Sequence, residues 1–199
     1  MVITDPVLLE GRDPVAVCRA AVQGGATMIQ VRWKDATPAD LVEVARALVD
    51  ALPVPILVND RADIAVAAGA AGAHLGWDDV PLASLRPNVP ADFLLGISVG
   101  SADEASRAAL LPADYWSIGP CFATPSKHDA GPALGPERFA VLARLAPEGT
   151  PVIGIGGITA ANAPQIIDAG AVGVAVIGAV LRAPDPETAA RAVAAAVRA

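Results

Sequence analysis

The sequence predicts an α/β fold, a single (β/α)8 TIM barrel covering residues 1–199. Three observations lead there. A short apolar run, a polar or glycine-rich turn and an Ala/Leu/Val stretch of helical periodicity recur along the chain, the pattern of a parallel sheet covered by helices. Eight such units can be traced, and eight favours a closed barrel over an open sheet. The rival, an open doubly wound sheet, lacks its signature: no G-x-G-x-x-G follows the first apolar run, where Thr4-Asp5-Pro6 stands instead.

The strands are read at residues 2–4, 27–31, 56–58, 71–75, 93–97, 115–118, 152–155 and 173–176. The helices are read at 14–23, 38–51, 62–68, 82–85, 102–110, 136–145, 160–168 and 187–197. Asp13-Pro14 and Thr37-Pro38 mark two helix starts, each placing a capping side chain before a first-turn proline. No low-complexity linker divides the chain, and a barrel of this length has room for few loop insertions.

Composition excludes several classes. Hydrophobic residues make up 54% and charged ones 18%, too apolar a balance for a disordered chain. The net charge of −7 and the lack of a basic patch argue against a nucleic-acid partner. A few cations placed locally still suffice for anionic substrates. The longest strongly apolar run, residues 171–181, is broken by Gly173 and Gly178 and is too short to cross a bilayer. The start of the chain lacks the basic and apolar regions of a signal peptide. Two cysteines, Cys18 and Cys121, make no disulfide framework. The expectation is a reduced cytoplasmic protein without membrane contact.

In a barrel of this kind the chemistry sits where strands end and the following loops begin. Gln30, Arg32 and Lys34 follow the second strand; alternation puts all three on one side if the strand extends that far. Asn59 and Asp60 follow the third strand, and Asp78 and Asp79 the fourth. Each acid alone could simply cap a helix, but carboxylates from neighbouring strand ends can share a hard cation such as Mg²⁺. Ser101 is a natural helix cap after the fifth strand, whereas Ser98 has no such job. The long loop after the sixth strand carries Thr124, Ser126 and Lys127, a plausible anion clamp. Gly156 and Gly157 after the seventh strand, and Ile177 and Gly178 after the eighth, permit close backbone approach to a phosphate. Two anion sites therefore face each other: one built from cations and a metal, one from backbone. That pairing suits transfer between two phosphorylated small molecules.

These motifs resemble the thiamine phosphate synthase family along nearly the whole chain: Thr4-Asp5, Gln30-Val-Arg32-Trp-Lys34-Asp35, Val58-Asn59-Asp60-Arg61, His74-Leu75-Gly76-Trp77-Asp78-Asp79, Gly119-Pro120 through Thr124-Pro125-Ser126-Lys127, Gly154-Ile-Gly156-Gly157-Ile158 and Val174-Ala175-Val176. The resemblance implies a Mg²⁺-dependent transferase of (β/α)8 fold, and a homodimer. It joins hydroxymethylpyrimidine diphosphate to hydroxyethylthiazole phosphate, forming thiamine phosphate and releasing diphosphate. It further implies that Gln30, Arg32, Lys34 and Asn59 contact the pyrimidine diphosphate and that Asp60 and Asp79 hold Mg²⁺. Ser98 and Lys127 would meet the diphosphate or pyrimidine, and Lys127, Ser98 and Arg32 are the catalytic candidates. Thr124 and Ser126 would meet the thiazole phosphate, with Gly156, Ile177 and Gly178 holding its phosphate by backbone.

The chain departs from the family at Trp33, usually Glu, at Trp77-Asp78, usually Gln-Glu, and at Ser126, usually Thr. The tryptophans could reshape the mouth. Two rival functions follow. A thiazole tautomerase of the same fold uses a His just after the fifth strand, where this chain has Gly100. A non-catalytic paralogue would keep the pocket and lose turnover. His74 reads as a hydrogen-bonded structural residue, His128 as a solvated loop residue, and Cys18 and Cys121 as apolar filler.

Overall fold

A computed structural model describes residues 1–124 and 131–198. Eight strands pair in parallel in sequence order: β1 (Val2–Ile3), β2 (Ile29–Val31), β3 (Ile56–Asn59), β4 (Gly72–Leu75), β5 (Leu94–Val99), β6 (Tyr115–Ile118), β7 (Val152–Ile155) and β8 (Gly173–Ala175). The sheet closes on itself through a parallel bridge between Val2 and Val176. There the Ile3 amide donates to the Val176 carbonyl at 2.9 Å, and the Val176 amide to the Met1 carbonyl at 3.1 Å. Closure rules out the open doubly wound sheet.

Ten helices wrap the described barrel: α1 (Pro6–Leu9), α2 (Pro14–Gln23), α3 (Pro38–Ala51), α4 (Ala62–Ala68), α5 (Leu82–Leu85), α6 (Ala102–Ala108), α7 (Gly135–Ala143), α8 (Ala163–Asp168), α9 (Gly178–Leu181) and α10 (Pro186–Arg198). The foreseen caps form: Asp13 accepts from Val15 and Ala16, Thr37 from Asp40, and Ser101 from Glu104. The short helices α1 and α9 were not expected. Asp5 creates α1 by accepting the Val7 and Leu8 amides at 3.0 and 3.1 Å ahead of Pro6. Arg12 then ties α1 to α9, donating to the carbonyls of Leu8, Leu9, Leu181 and Ala183. Helix α8 starts later than periodicity suggests. The Asn162 side chain accepts the Thr159 amide and donates to the Gly157 carbonyl, holding that segment in a turn.

Strand alternation gives the sheet two unlike faces. In register, Val31, Val58, Ala73, Leu95 and Trp116 belong to the face under the helices, where they join the main apolar core. The other parity, facing the lumen, contains Ile3, Gln30, Leu57, His74, Tyr115 and Ser117. Four of these, Gln30, His74, Tyr115 and Ser117, are polar yet buried.

Candidate active site

Charged groups gather at the C-terminal ends of β1 to β4. The backbone amide of Arg32 donates to Thr4 Oγ1 at 3.1 Å, and its Nη1 lies 3.7 Å from Asp5 Oδ2. Both side chains of this ion pair are largely shielded. β2 stops at Val31 and the chain turns, with the Ala36 amide donating to the Trp33 carbonyl. The expected alternation of Gln30, Arg32 and Lys34 along one extended strand therefore does not hold. Gln30 points into the lumen, while Lys34 reaches the site from an exposed turn.

Asp60 stands in the left-handed region at φ 63°, an unusual place for a residue with a Cβ. Its amide donates to the His74 carbonyl at 2.8 Å, and the next amide, of Arg61, donates to Asn59. Helix α4 begins without a side-chain cap, so Asp60 is not a capping residue. Burial first, then the charge and hydrogen bond of Asp79, push the Asp60 carboxyl up to about 6; Lys34 and Arg32 partly oppose this. The carboxylates of Asp60 and Asp79 are thus within hydrogen-bonding reach, with both cations close by. Asp79 Oδ2 is held by the Gly76 amide at 2.6 Å. Asp78 is exposed, off the pair.

Below this cluster a polar chain crosses the lumen. His74 Nδ1 lies 2.8 Å from the Tyr115 hydroxyl, and its Nε2 lies 3.0 Å from Ser98 Oγ. Burial pushes the Tyr115 hydroxyl well above its ordinary value, and Gln30, on the same lumen face, partly opposes this. Gly96 makes room: a Cβ there would sit 2.2 Å from the Tyr115 ring. Asn59 shares the register row of His74, Gly96 and Tyr115, one residue before Asp60.

The opposite rim is built from backbone. The Cys121 and Phe122 amides donate to the Ile155 and Gly156 carbonyls, locking the loop after β6 onto that after β7. Gly156 has φ 93°, and a Cβ there would come within 2.7 Å of Pro120. Its neighbour Gly157, at φ 64°, would meet the Ala123 carbonyl at 2.5 Å. These glycines are required by loop packing as well as by any phosphate. Ile177 caps α9, and Gly178 opens it. Thr124 is half-buried where the loop leaves this rim. Ser126, Lys127 and His128 lie outside the described residues.

The two tryptophans that depart from the family pattern are half-buried. Trp33 and Trp77 pack against the main apolar core, and the Arg107 guanidinium covers Trp77 at 4.3 Å. Among the described residues the indole N–H of each is buried without an acceptor. Cys18 and Cys121 are buried and unpaired, with thiols pushed up to about 12 chiefly by burial.

The sequence reading passed over Asp5 and Tyr115 as site residues and gave His74 the hydrogen-bonded structural place that it has. Asp5-Pro6 repeats the cap signature of Asp13-Pro14 at a strand end, so it was readable. Tyr115 is the chain's sole tyrosine and alternates with Ser117, a polar inward pattern within an otherwise apolar strand.

A closed eight-stranded α/β barrel, with paired carboxylates and cations on one side of its C-terminal mouth and a glycine rim on the other, defines an enzyme class acting on small phosphorylated molecules. Comparison narrows it. Residues 1–180 match the family described as thiamine monophosphate synthase, and the chain belongs to that family. It is 47% identical over 194 residues to a thiamine-phosphate synthase of Roseiflexus sp. (strain RS-1), covering 96% of this chain and 81% of the relative. A thiamine-phosphate synthase of Xanthobacter autotrophicus is 44% identical over 198 residues, covering 98% and 93%. The solved thiamine phosphate pyrophosphorylase from Pyrococcus furiosus superposes with a TM-score of 0.89 at 34% identity, covering 99% of this chain and 94% of that one. Orotidine 5'-phosphate decarboxylase from Pyrococcus horikoshii, at 19% identity and TM-score 0.74, shares the fold alone. No described helix is long and apolar enough to cross a membrane.

Proposed function

We propose that this barrel makes thiamine phosphate by joining hydroxymethylpyrimidine diphosphate to hydroxyethylthiazole phosphate. The observation that carries the reading is the Asp60–Asp79 pair set beside Arg32 and Lys34 at the mouth of a barrel of this family. The bond between the pyrimidine methylene and the diphosphate oxygen breaks, and the electron pair leaves with diphosphate. The thiazole nitrogen supplies the pair for the new carbon–nitrogen bond. No side-chain nucleophile is required, so the chain's task is positioning and stabilisation of departing charge.

Arg32, oriented by Asp5 and Thr4, and Lys34 bind the diphosphate; Lys127 joins them from the loop after β6. Gln30, Asn59 and Ser98 seat the pyrimidine. Thr124 and Ser126 bind the thiazole phosphate with the backbone of Gly156, Ile177 and Gly178. The carboxylate pair fits Mg²⁺: two hard oxygen donors whose mutual repulsion a cation relieves, with the remaining positions left to water and substrate. No larger group of His, Cys, Asp or Glu suited to a metal occurs among the described residues. Mg²⁺, when bound by Asp60 and Asp79, shields the negative charge of the leaving diphosphate. A homodimer in the cytoplasm is the setting that goes with this reading.

The test is direct. Purified protein, both substrates and Mg²⁺ are incubated, and thiamine phosphate is measured as thiochrome fluorescence. Product that disappears with EDTA supports the reading; a folded sample that forms none refutes it.

A further inference from the structure

We infer that the Ser117 hydroxyl is a further substrate contact, a second hydroxyl beside Ser98 in the seat of the pyrimidine ring. The ring's identity rests on the proposed function; the unused hydroxyl in the lumen does not.

Alternation fixes where Ser117 points. On β6, Trp116 and Ile118 belong to the apolar core under the helices, so Tyr115 and Ser117 share the lumen face. Tyr115 lies deeper, its hydroxyl 2.8 Å from His74 Nδ1. Ser117 is two residues nearer the C-terminal mouth, one residue before β6 ends at Ile118. Its register partners are Ser98 on β5 and Ile153 on β7. The phenol and imidazole therefore form a floor, and Ser98 and Ser117 stand side by side on its mouth side.

Ser117 differs from its neighbours in what it touches. Ser98 Oγ lies 3.0 Å from His74 Nε2, and Tyr115 closes on the other ring nitrogen. Ile153 is apolar. Among the described residues Ser117 Oγ has no hydrogen-bond partner, although the residue is only 4% exposed. Nor is that oxygen sealed inside the protein, as Trp33 Nε1, Trp77 Nε1 and Arg86 Nε are. One donor and two lone pairs are thus left to the lumen. Burying them without a partner is unfavourable, and a ligand that pairs them removes the cost.

The chemistry selects the ligand. Two hydroxyls on adjacent strands, with backbones about 5 Å apart, suit a flat ring that carries several polar atoms along its edge. A pyrimidine with an exocyclic amino group has both acceptors and donors there, and a hydroxyl serves either. The thiazole has one ring nitrogen, whose electron pair must stay free to form the new bond. Ser117 is therefore assigned to the pyrimidine.

The experiment measures initial rates of thiamine phosphate formation, with each substrate varied in turn, for the parent, Ser117→Ala and Ser117→Cys. In Ser117→Ala, kcat/KM for the pyrimidine diphosphate should fall about tenfold, the worth of one hydrogen bond. The KM for the thiazole phosphate should not move. Ser117→Cys keeps the volume but only a weak donor, so it should follow Ser117→Ala. Without substrate, the melting temperature of Ser117→Ala should not fall, because no hydrogen bond within the protein is lost. Parent-like kinetics in Ser117→Ala overturn the inference, because the hydroxyl then meets only water. A lowered melting temperature with equal losses toward both substrates overturns it as a structural role. Parent-like kinetics in Ser117→Cys overturn it too, because volume and not the hydroxyl then matters. If the parent itself forms no thiamine phosphate, the proposed function fails and takes the pyrimidine assignment with it; an active parent with an unaffected Ser117→Ala refutes the inference alone.

Discussion

Tyr115 and Trp116 are consecutive on β6 and serve different structures. Trp116, 1% exposed, packs under the helices with Leu95 and Val152 in the main apolar core. Tyr115 crosses the lumen over Gly96 and joins His74. One face of the strand is shaped by volume and burial, the other by hydrogen-bond direction. Stability and chemistry are thereby separated by a one-residue step, which lets the lumen be polar without weakening the layer that holds the helices.

That separation can be broken experimentally. The largest effect is expected from Trp116→Ala, which empties a close-packed site and should cost about 3–5 kcal/mol in denaturant unfolding. The molecules still folded should keep a kcat/KM close to the parent's. A large activity loss with intact stability would mean that the two faces are not independent. Next comes Arg32→Ala, expected to lower kcat/KM about 100-fold by removing a donor aimed at developing charge, with little change in melting temperature.

The rim should sit between these extremes. Gly156→Ala forces a Cβ toward Pro120 and a side chain into positive φ. A cost of about 1–3 kcal/mol is expected, together with a raised KM for the thiazole phosphate, measured in the same assay.

The smallest effect on stability concerns Asp60. Its folded carboxyl, at about 6, lies above the ordinary value of 3.8, so the fold binds a proton that the unfolded chain releases. In metal-free protein this group therefore lowers stability as pH rises from about 4 through about 6, and the penalty persists above. Asp60→Asn should remove that slope and raise the metal-free melting temperature at neutral pH, while abolishing Mg²⁺-stimulated turnover. An unchanged slope would show that the Asp60 carboxyl is not raised by burial and Asp79 in the folded protein.

Much of the candidate site was legible because its residues lie at or beside strand ends. Asp60, Asp79, Arg32 and Ser98 fall where local apolar runs stop, and those stops are visible without any partner strand. The misreadings share one cause. The alternation of Gln30, Arg32 and Lys34 depended on the second strand extending past residue 31, and its ladder ends at Val31. The helices α1 and α9 are single turns, too short for periodicity to reveal; α9 is held by Arg12, far away in sequence. His74 is hydrogen-bonded as the sequence reading had it, but its partners, on β5 and β6, could not be named without the register.

The sequence by itself determined the order of eight βα units, the caps that start α2, α3 and α6, and the positions where polar side chains interrupt apolar strands. These follow from propensity and alternation, which act between neighbours. The tertiary structure alone decided that β8 closes on β1 and that Arg32 meets Asp5. It alone brought the Asp60 and Asp79 carboxylates together and strung Tyr115, His74 and Ser98 into one line. Each of those contacts depends on strand register around a closed sheet, and register is set by packing both faces at once.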